Sequence, residues 1–253
     1  MALRRVLQTL VAWLVVSGSL VSTFELTAAP PGAGLRGMLT IDAALSTDSW
    51  GTTTPGAIDR QVFTLALQAT RCAVQTGDLP TPPETLTVID YSKPSSSQRL
   101  WVFDLATHAV LYHELVAHGQ GSGENWATHF SNEANTHRSS LGLFVADDTY
   151  VGRNGYSLRL TGLEAGVNDR ARERAIVMHG APYVSAKFVQ RRGRLGRSWG
   201  CPALPASVAR QIIDRLKGGG VVFAYYPDSD WLGTSKYLDR CSARPAQTAR
   251  AAR

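Results

Sequence analysis

From residue 58 the apolar positions Ile58, Val62, Leu65, Ala69 and Cys72 recur at three- and four-residue intervals. One face of an α-helix has that period, so the spacing predicts a helix ending near Gly77, with Pro80, Pro82 and Pro83 forbidding its continuation. The period then changes. Runs at 86–91, 99–105 and 110–118 are short, rich in Val, Leu, Tyr and Trp, and separated by turn residues such as Lys93-Pro94-Ser95. They predict strands. Gly119 to Gly123 reads as a flexible break. Further strands are expected at 141–146, 157–160, 175–178 and 221–226. A second helix is expected over 207–217, with Val208, Ile212, Ile213 and Leu216 on its buried face, Ser207 as its cap and Gly218 to Gly220 ending it. The strands cluster instead of alternating with helices. That argues against a doubly wound parallel sheet and for a β-rich α+β fold.

The two ends of the chain read differently. Arg4 and Arg5 precede a mostly apolar stretch from Val6 to Val16, and small residues follow from Ser17 onward. This is the order of a secretory signal; a buried helix of the mature fold is the competing reading. The stretch falls short of the roughly 20 residues a membrane-spanning helix needs. Both Leu26-Thr27-Ala28 and Thr27-Ala28-Ala29-Pro30 are poor cleavage sites, so an uncleaved anchor stays open. The expected organisation is a signal or anchor at 1–26, a Gly/Ala/Pro/Ser/Thr-rich linker at 27–56, a helical lead-in at 57–84, a catalytic domain at 85–239 and a disordered basic tail at 240–253.

Composition narrows the class. The 253 residues are 44% apolar and 18% charged, which supports a sizeable core and excludes wholesale disorder. With 26 Lys+Arg against 20 Asp+Glu, the net charge of +6 suits an anionic partner. No nucleotide-binding loop and no RNA-binding signature is visible, so nucleic acid is not expected. Three cysteines exclude a disulfide scaffold and a four-cysteine zinc site. Cys72 and Cys241 either pair or remain apart, and a Cα separation within about 7 Å decides which.

The chemistry concentrates in two segments. Ile176-Val177-Met178-His179-Gly180 is an apolar run ending at a histidine and a glycine, which places His179 at the mouth of a buried strand. Gly196-Arg197-Ser198-Trp199-Gly200-Cys201-Pro202 is a Gly/Ser-rich turn able to expose a thiol and aim backbone N–H groups at one point. A nucleophilic cysteine needs a base and oxyanion donors, and these segments offer both. Other readings are weaker. Gly196-x-Ser198-x-Gly200 also spells a serine-hydrolase elbow, but Pro202 and Pro205 interrupt the helix that should follow, and no histidine comes after His179. His113-Glu114 to His118 has one residue too many for a zinc HExxH motif. A non-catalytic binding module would need a groove and no reactive thiol.

From about Leu86 to Tyr226 the chain resembles the murein L,D-transpeptidase catalytic domain family, a branch of the YkuD-type L,D-transpeptidases. The resemblance rests on His179-Gly180, on Ser198-x-Gly200-Cys201 and on the gap between them. Val116-Ala117-His118-Gly119, Phe130-Ser131-Asn132, Ser139-Ser140-Leu141-Gly142, Gly155-Tyr156-Ser157-Leu158-Arg159-Leu160, Gly162-Leu163-Glu164 and Gly193 to Ser198 add to it. Two departures stand out: Trp199 occupies a position where the wider pattern usually has histidine, and Pro202-Ala203 replaces an aliphatic-Arg pair.

The resemblance implies a mixed β-sandwich or barrel-like catalytic domain, with one helix before it and one after the cysteine. It implies Cys201 as nucleophile on a murein tetrapeptide stem, His179 as base, and Ser198 or a backbone carbonyl orienting that histidine. Oxyanion donors are expected from the backbone of the Trp199-Gly200-Cys201 turn. His118, Tyr156, Arg159 and Arg197 are expected near the substrate, together with Tyr150. Lys187, Arg191, Arg192, Arg194 and Arg197 form a basic stretch that either attracts stem carboxylates and lowers the thiol pKa or is a solvated loop. The expected partner is the peptidoglycan stem peptide, with no metal or organic cofactor, in an exported, cell-envelope monomer. The acceptor is open between a second stem, a wall-attached protein and water, the last making the enzyme an L,D-carboxypeptidase.

Overall fold

Eight strands pair into one sheet in this computed structural model, which describes residues 41–51, 55–79, 81–239 and 241. They are β1 (Thr85–Asp90), β2 (Leu100–Asp104), β3 (Ala109–Glu114), β4 (Gly142–Gly152), β5 (Gly155–Gly162), β6 (Val177–Ala181), β7 (Ala203–Pro205) and β8 (Val221–Tyr225). Their order is β3-β2-β1-β8-β4-β5-β6-β7, with β1/β8 and β6/β7 parallel and the other pairs antiparallel. β1 and β8 are buried along their whole length; β8 has the continuous apolar sequence of a strand covered on both faces, whereas β1 also buries Thr85, Thr87 and Asp90. The sheet curls until its ends nearly meet. Ala117, just beyond β3, bridges Ala203 of β7, and Gly119 bridges Ser198. A barrel-like sheet results, and the candidate turn lies along its seam.

Helix α1 (Arg60–Gln75) begins where the Asp59 carboxylate accepts from the Gln61 and Val62 amides at 2.8 and 3.0 Å. Its start therefore falls two residues later than the apolar period suggests. Val62, Phe63, Ala66, Leu67, Ala69 and Cys72 are buried against the sheet. Cys72 is bonded to Cys241 with a Cα–Cα distance of 5.7 Å, which settles the open pairing and ties the chain's far end to α1. The carboxylate of buried Glu164 accepts from the Leu143 amide, Trp231 Nε1 and Ser235 Oγ. It thereby fastens α4 (Ser229–Thr234) and α5 (Lys236–Asp239) to the body.

Several expectations change. Residues 41–51, expected as linker, belong to the body: Ile41, Leu45 and Trp50 are buried, and the Trp50 ring packs edge-on against Phe63 and Phe103 at 5.0 and 5.5 Å. β3 stops at Glu114, so His118 lies beyond it. β4 runs on to Gly152 as an exposed hairpin arm whose polar residues hid it. The helix expected at 207–217 is α3 (Ala209–Leu216), and no side chain caps it. Lys187, Arg191 and Arg192 lie on a helix, α2 (Ala186–Arg192), capped by the Ser185 hydroxyl at the Phe188 amide. That helix buries no residue, so it left no apolar period to read. The signal or anchor and most of the tail lie outside the described residues. Among the described residues no helix is long and apolar enough to cross a membrane.

Candidate active site

β6 and β7 set the site. His179 stands opposite Ala203 in their parallel ladder, and Cys201 precedes Ala203 by two residues. The thiol meets the start of β6 directly: the Val177 amide donates to Sγ at 3.5 Å, and the thiol faces the Ala175 carbonyl at 3.7 Å. Cys201 and His179 are 8% and 5% exposed, so both are largely shielded from water.

The turn bearing Cys201 is held from three sides. Its Ser198 amide donates to the His118 carbonyl at 3.0 Å, and the Gln120 amide donates back to the Ser198 carbonyl at 2.8 Å. Ser198 Oγ donates to the Cys201 carbonyl at 2.6 Å and accepts from the Gly200 amide at 3.1 Å. Ser139 Oγ donates to the Gly200 carbonyl and accepts from the Gly119 amide, both at 3.0 Å. Gly200 has φ +115°, and a Cβ there would lie 2.8 Å from the Arg138 carbonyl oxygen. No other residue fits that position without moving backbone.

Burial raises the Cys201 pKa; the Val177 amide, the Arg174 charge and the residue's own amide oppose it. Burial lowers the His179 pKa, and the Gly180 carbonyl opposes that. The resting pair is therefore a thiol and a neutral imidazole. His179 Nδ1 lies 3.0 Å from the Gly180 carbonyl oxygen. A carbonyl only accepts, so the proton sits on Nδ1 and Nε2 keeps its lone pair. That is the state a general base requires.

The remaining expected residues fall into place unevenly. Ser198 does not orient His179; the Gly180 carbonyl does, while the Ser198 hydroxyl closes its own turn. The same closure engages the Gly200 N–H with Ser198, so it is not free for an oxyanion in this arrangement. Trp199 offers its side chain outward, 63% exposed and stacked on His137 with ring centroids 5.0 Å apart.

His118 is not a substrate contact: its side chain is fully buried. Arg99 Nη2 donates to its Nδ1 at 2.7 Å, and burial followed by the Arg99 charge pushes its pKa down to about 3. Its contribution to the turn is its carbonyl. Tyr156 donates to Asp214 on α3 at 2.6 Å, with Arg210 over its ring. Arg159 pairs with Asp148 and lies 4.2 Å from the Tyr150 ring centroid. Arg197 and Arg194 share Glu124 at 2.7 and 2.8 Å, which offsets part of the basic stretch's charge.

Sequence reading missed Ser139 as a clamp on the turn and Arg174 as the nearby cation. Arg174 donates to the Ser131 carbonyl, Ser140 Oγ and the Arg138 carbonyl at 2.5, 2.6 and 2.6 Å. Among the described residues no three His, Cys, Asp or Glu side chains gather as metal ligands.

The family model of the L,D-transpeptidase catalytic domain matches residues 55–225. No curated protein matches the chain. Similar solved structures include an L,D-transpeptidase from Mycobacterium smegmatis, at 16% identity over 56% of this chain and 59% of that one, with a TM-score of 0.35. L,D-transpeptidase 3 from Mycobacterium tuberculosis, in complex with a faropenem-derived adduct, gives 16% identity over 58% and 62%, with a TM-score of 0.36. Bd1075 of Bdellovibrio bacteriovorus gives 14% identity over 56% and 48%, with a TM-score of 0.36. The aligned region spans less than two thirds of the length of each of these three structures.

Proposed function

The chain belongs to the L,D-transpeptidase catalytic domain family, and we propose on that premise that it is a cysteine-dependent acyltransferase acting on peptidoglycan stem peptides. The observation carrying this reading is the free thiol of Cys201, gripped by the same strand that presents His179.

The thiol proton passes to His179 Nε2, and the thiolate attacks the carbonyl carbon at the L-centre of the third stem residue. The oxyanion is met by the backbone N–H groups of Cys201, which faces the sulfur, and of Trp199, while the Gly200 N–H stays on Ser198 Oγ. The C–N bond to D-alanine breaks as the imidazolium returns its proton to the leaving amine. A thioester remains on Cys201. An amine of a second stem, deprotonated through His179, attacks it, re-forming an amide and releasing the sulfur.

Burial keeps the resting pair uncharged, so the thiolate is formed as the proton passes to His179 during attack. We also place the enzyme in the cell envelope. The Cys72–Cys241 bond favours an oxidising compartment, as does the signal-like sequence ahead of the described residues.

Incubation with tetrapeptide-bearing murein fragments, followed by mass measurement of the products, tests the reading. A cross-linked dimer lacking one D-alanine is expected. A free tripeptide would reassign the acceptor to water, and unchanged fragments from folded protein would contradict acyl transfer.

A further inference from the structure

Resting on the cysteine reading above, we propose that Arg174 is a positioning cation: its fixed guanidinium balances the charge on Cys201 when the thiol proton leaves for His179.

Three observations carry this. First, Arg174 is half-buried and spends its hydrogen bonds on neutral acceptors, namely the Ser131 and Arg138 carbonyls and the Ser140 hydroxyl. The carboxylate whose field reaches it, Glu133, is ion-paired with Arg170. Its positive charge is thus held in place without a carboxylate partner among the described residues. Second, its position relative to the sulfur is fixed through backbone. The Arg138 carbonyl that it binds abuts Gly200, the residue before Cys201. Third, Ala175 adopts φ +53°, a conformation a residue with a Cβ rarely takes. This kink directly follows Arg174 and sets the Ala175 carbonyl 3.7 Å from Sγ. Strain of this sort persists where surrounding contacts enforce it, often at functional sites.

The other titratable groups around the sulfur cannot do this work. Burial pushes the Tyr91 and Tyr183 pKa values up to about 12, so both are neutral at pH 7. Burial keeps His179 neutral at rest. When the S–H bond breaks and Nε2–H forms, the negative sulfur has Arg174 as its standing counter-charge. When the imidazolium later gives up its proton to the leaving amine, that counter-charge remains for deacylation.

The bland alternative is a clip: Arg174 merely ties residues 131–140 to β6. Rates of Cys201 alkylation by iodoacetamide across pH separate the two, with the Cys72–Cys241 bond intact and folding checked by near-UV circular dichroism. Arg174→Gln should raise the pH midpoint by about one unit or more. Arg174→Lys keeps the charge and loses the forked geometry, so its midpoint should stay within about half a unit of the parent's. Should the glutamine variant not fold, Arg174→Met, which keeps the buried stem, replaces it. A folded neutral variant with an unmoved midpoint overturns the proposal, as does a lysine variant that shifts as far as the neutral one. A Cys201 that titrates normally but independently of Arg174 defeats this inference alone. A folded parent protein whose Cys201 never alkylates defeats the cysteine reading beneath it.

Discussion

The Val177 amide donates to the Cys201 sulfur at 3.5 Å, two residues ahead of His179 on the same strand. One strand therefore fixes both members of the candidate pair. The contact also favours thiolate, because an N–H donor strengthens its bond as negative charge builds on sulfur.

The two pKa directions define a pH window. His179 sits below the ordinary value of 6.5 and Cys201 above 9.0, each because burial penalises its charged form. Activity needs one proton on the pair. The kcat/KM profile should be flat through neutrality, fall on an acid limb below 6.5 and fall on an alkaline limb above 9. His179→Gln should lower kcat by at least about 10²-fold and remove the acid limb. Initial rates from pH 4 to 10 check both.

Ser198 should behave as a scaffold of the turn. Ser198→Ala removes its bonds to the Cys201 carbonyl and the Gly200 amide, at a cost of about 1–3 kcal/mol. Gly200→Ala should be worse, because its Cβ meets the Arg138 carbonyl. Urea denaturation and product formation, measured together, should show both variants losing stability and rate, the glycine variant more. An alanine at 198 that lost rate alone, by changing the acid limb, would return Ser198 to the role of orienting His179.

Reducing the Cys72–Cys241 bond opens a link across 169 residues of sequence. Such links stabilise by about 2–5 kcal/mol, chiefly by restricting the unfolded chain. Thermal melts with and without reductant should show a clear fall in Tm. Cys201 alkylation at 25 °C should persist, since α1 packs chiefly on β1, β8 and α5.

Acid should weaken the fold through His118. Its folded pKa is pushed down to about 3 against 6.5 for a free histidine, so the unfolded chain takes up the proton first as pH drops. Its contribution is complete above 6.5 and is lost progressively between 6.5 and 3, at a limiting slope on the order of 1 kcal/mol per pH unit. His118→Asn keeps an acceptor for Arg99 and should be less stable at pH 7 yet lose less between pH 7 and 4. Urea midpoints at the two pH values measure the difference.

Legibility followed contiguity. The β6 run and the Ser-x-Gly-Cys turn were readable because each is a continuous stretch whose residue types serve one local geometry. β7 is three residues long and ends in a proline, so no period announces it. His118 was misplaced because its environment is set by Arg99, which is distant in sequence and close in space. Arg174 was hidden in Asp169-Arg170-Ala171-Arg172-Glu173-Arg174, a charged run that reads as a solvated surface. Only the tertiary fold shows that Arg170 pairs with Glu173 and with Glu133 of another loop while Arg174 turns inward to Ser131, Arg138 and Ser140. Ile41, Leu45 and Trp50 were lost among small residues, since three apolar positions amid Ala, Ser and Thr make too faint a pattern.

The most direct measurement is the intact mass of acid-quenched protein after brief exposure to a tetrapeptide stem, followed by peptide mapping. A gain equal to the stem less D-alanine, confined to the peptide bearing Cys201 and absent from a folded Cys201→Ala variant, is the predicted result. Release of D-alanine by that variant at the parent rate would contradict it.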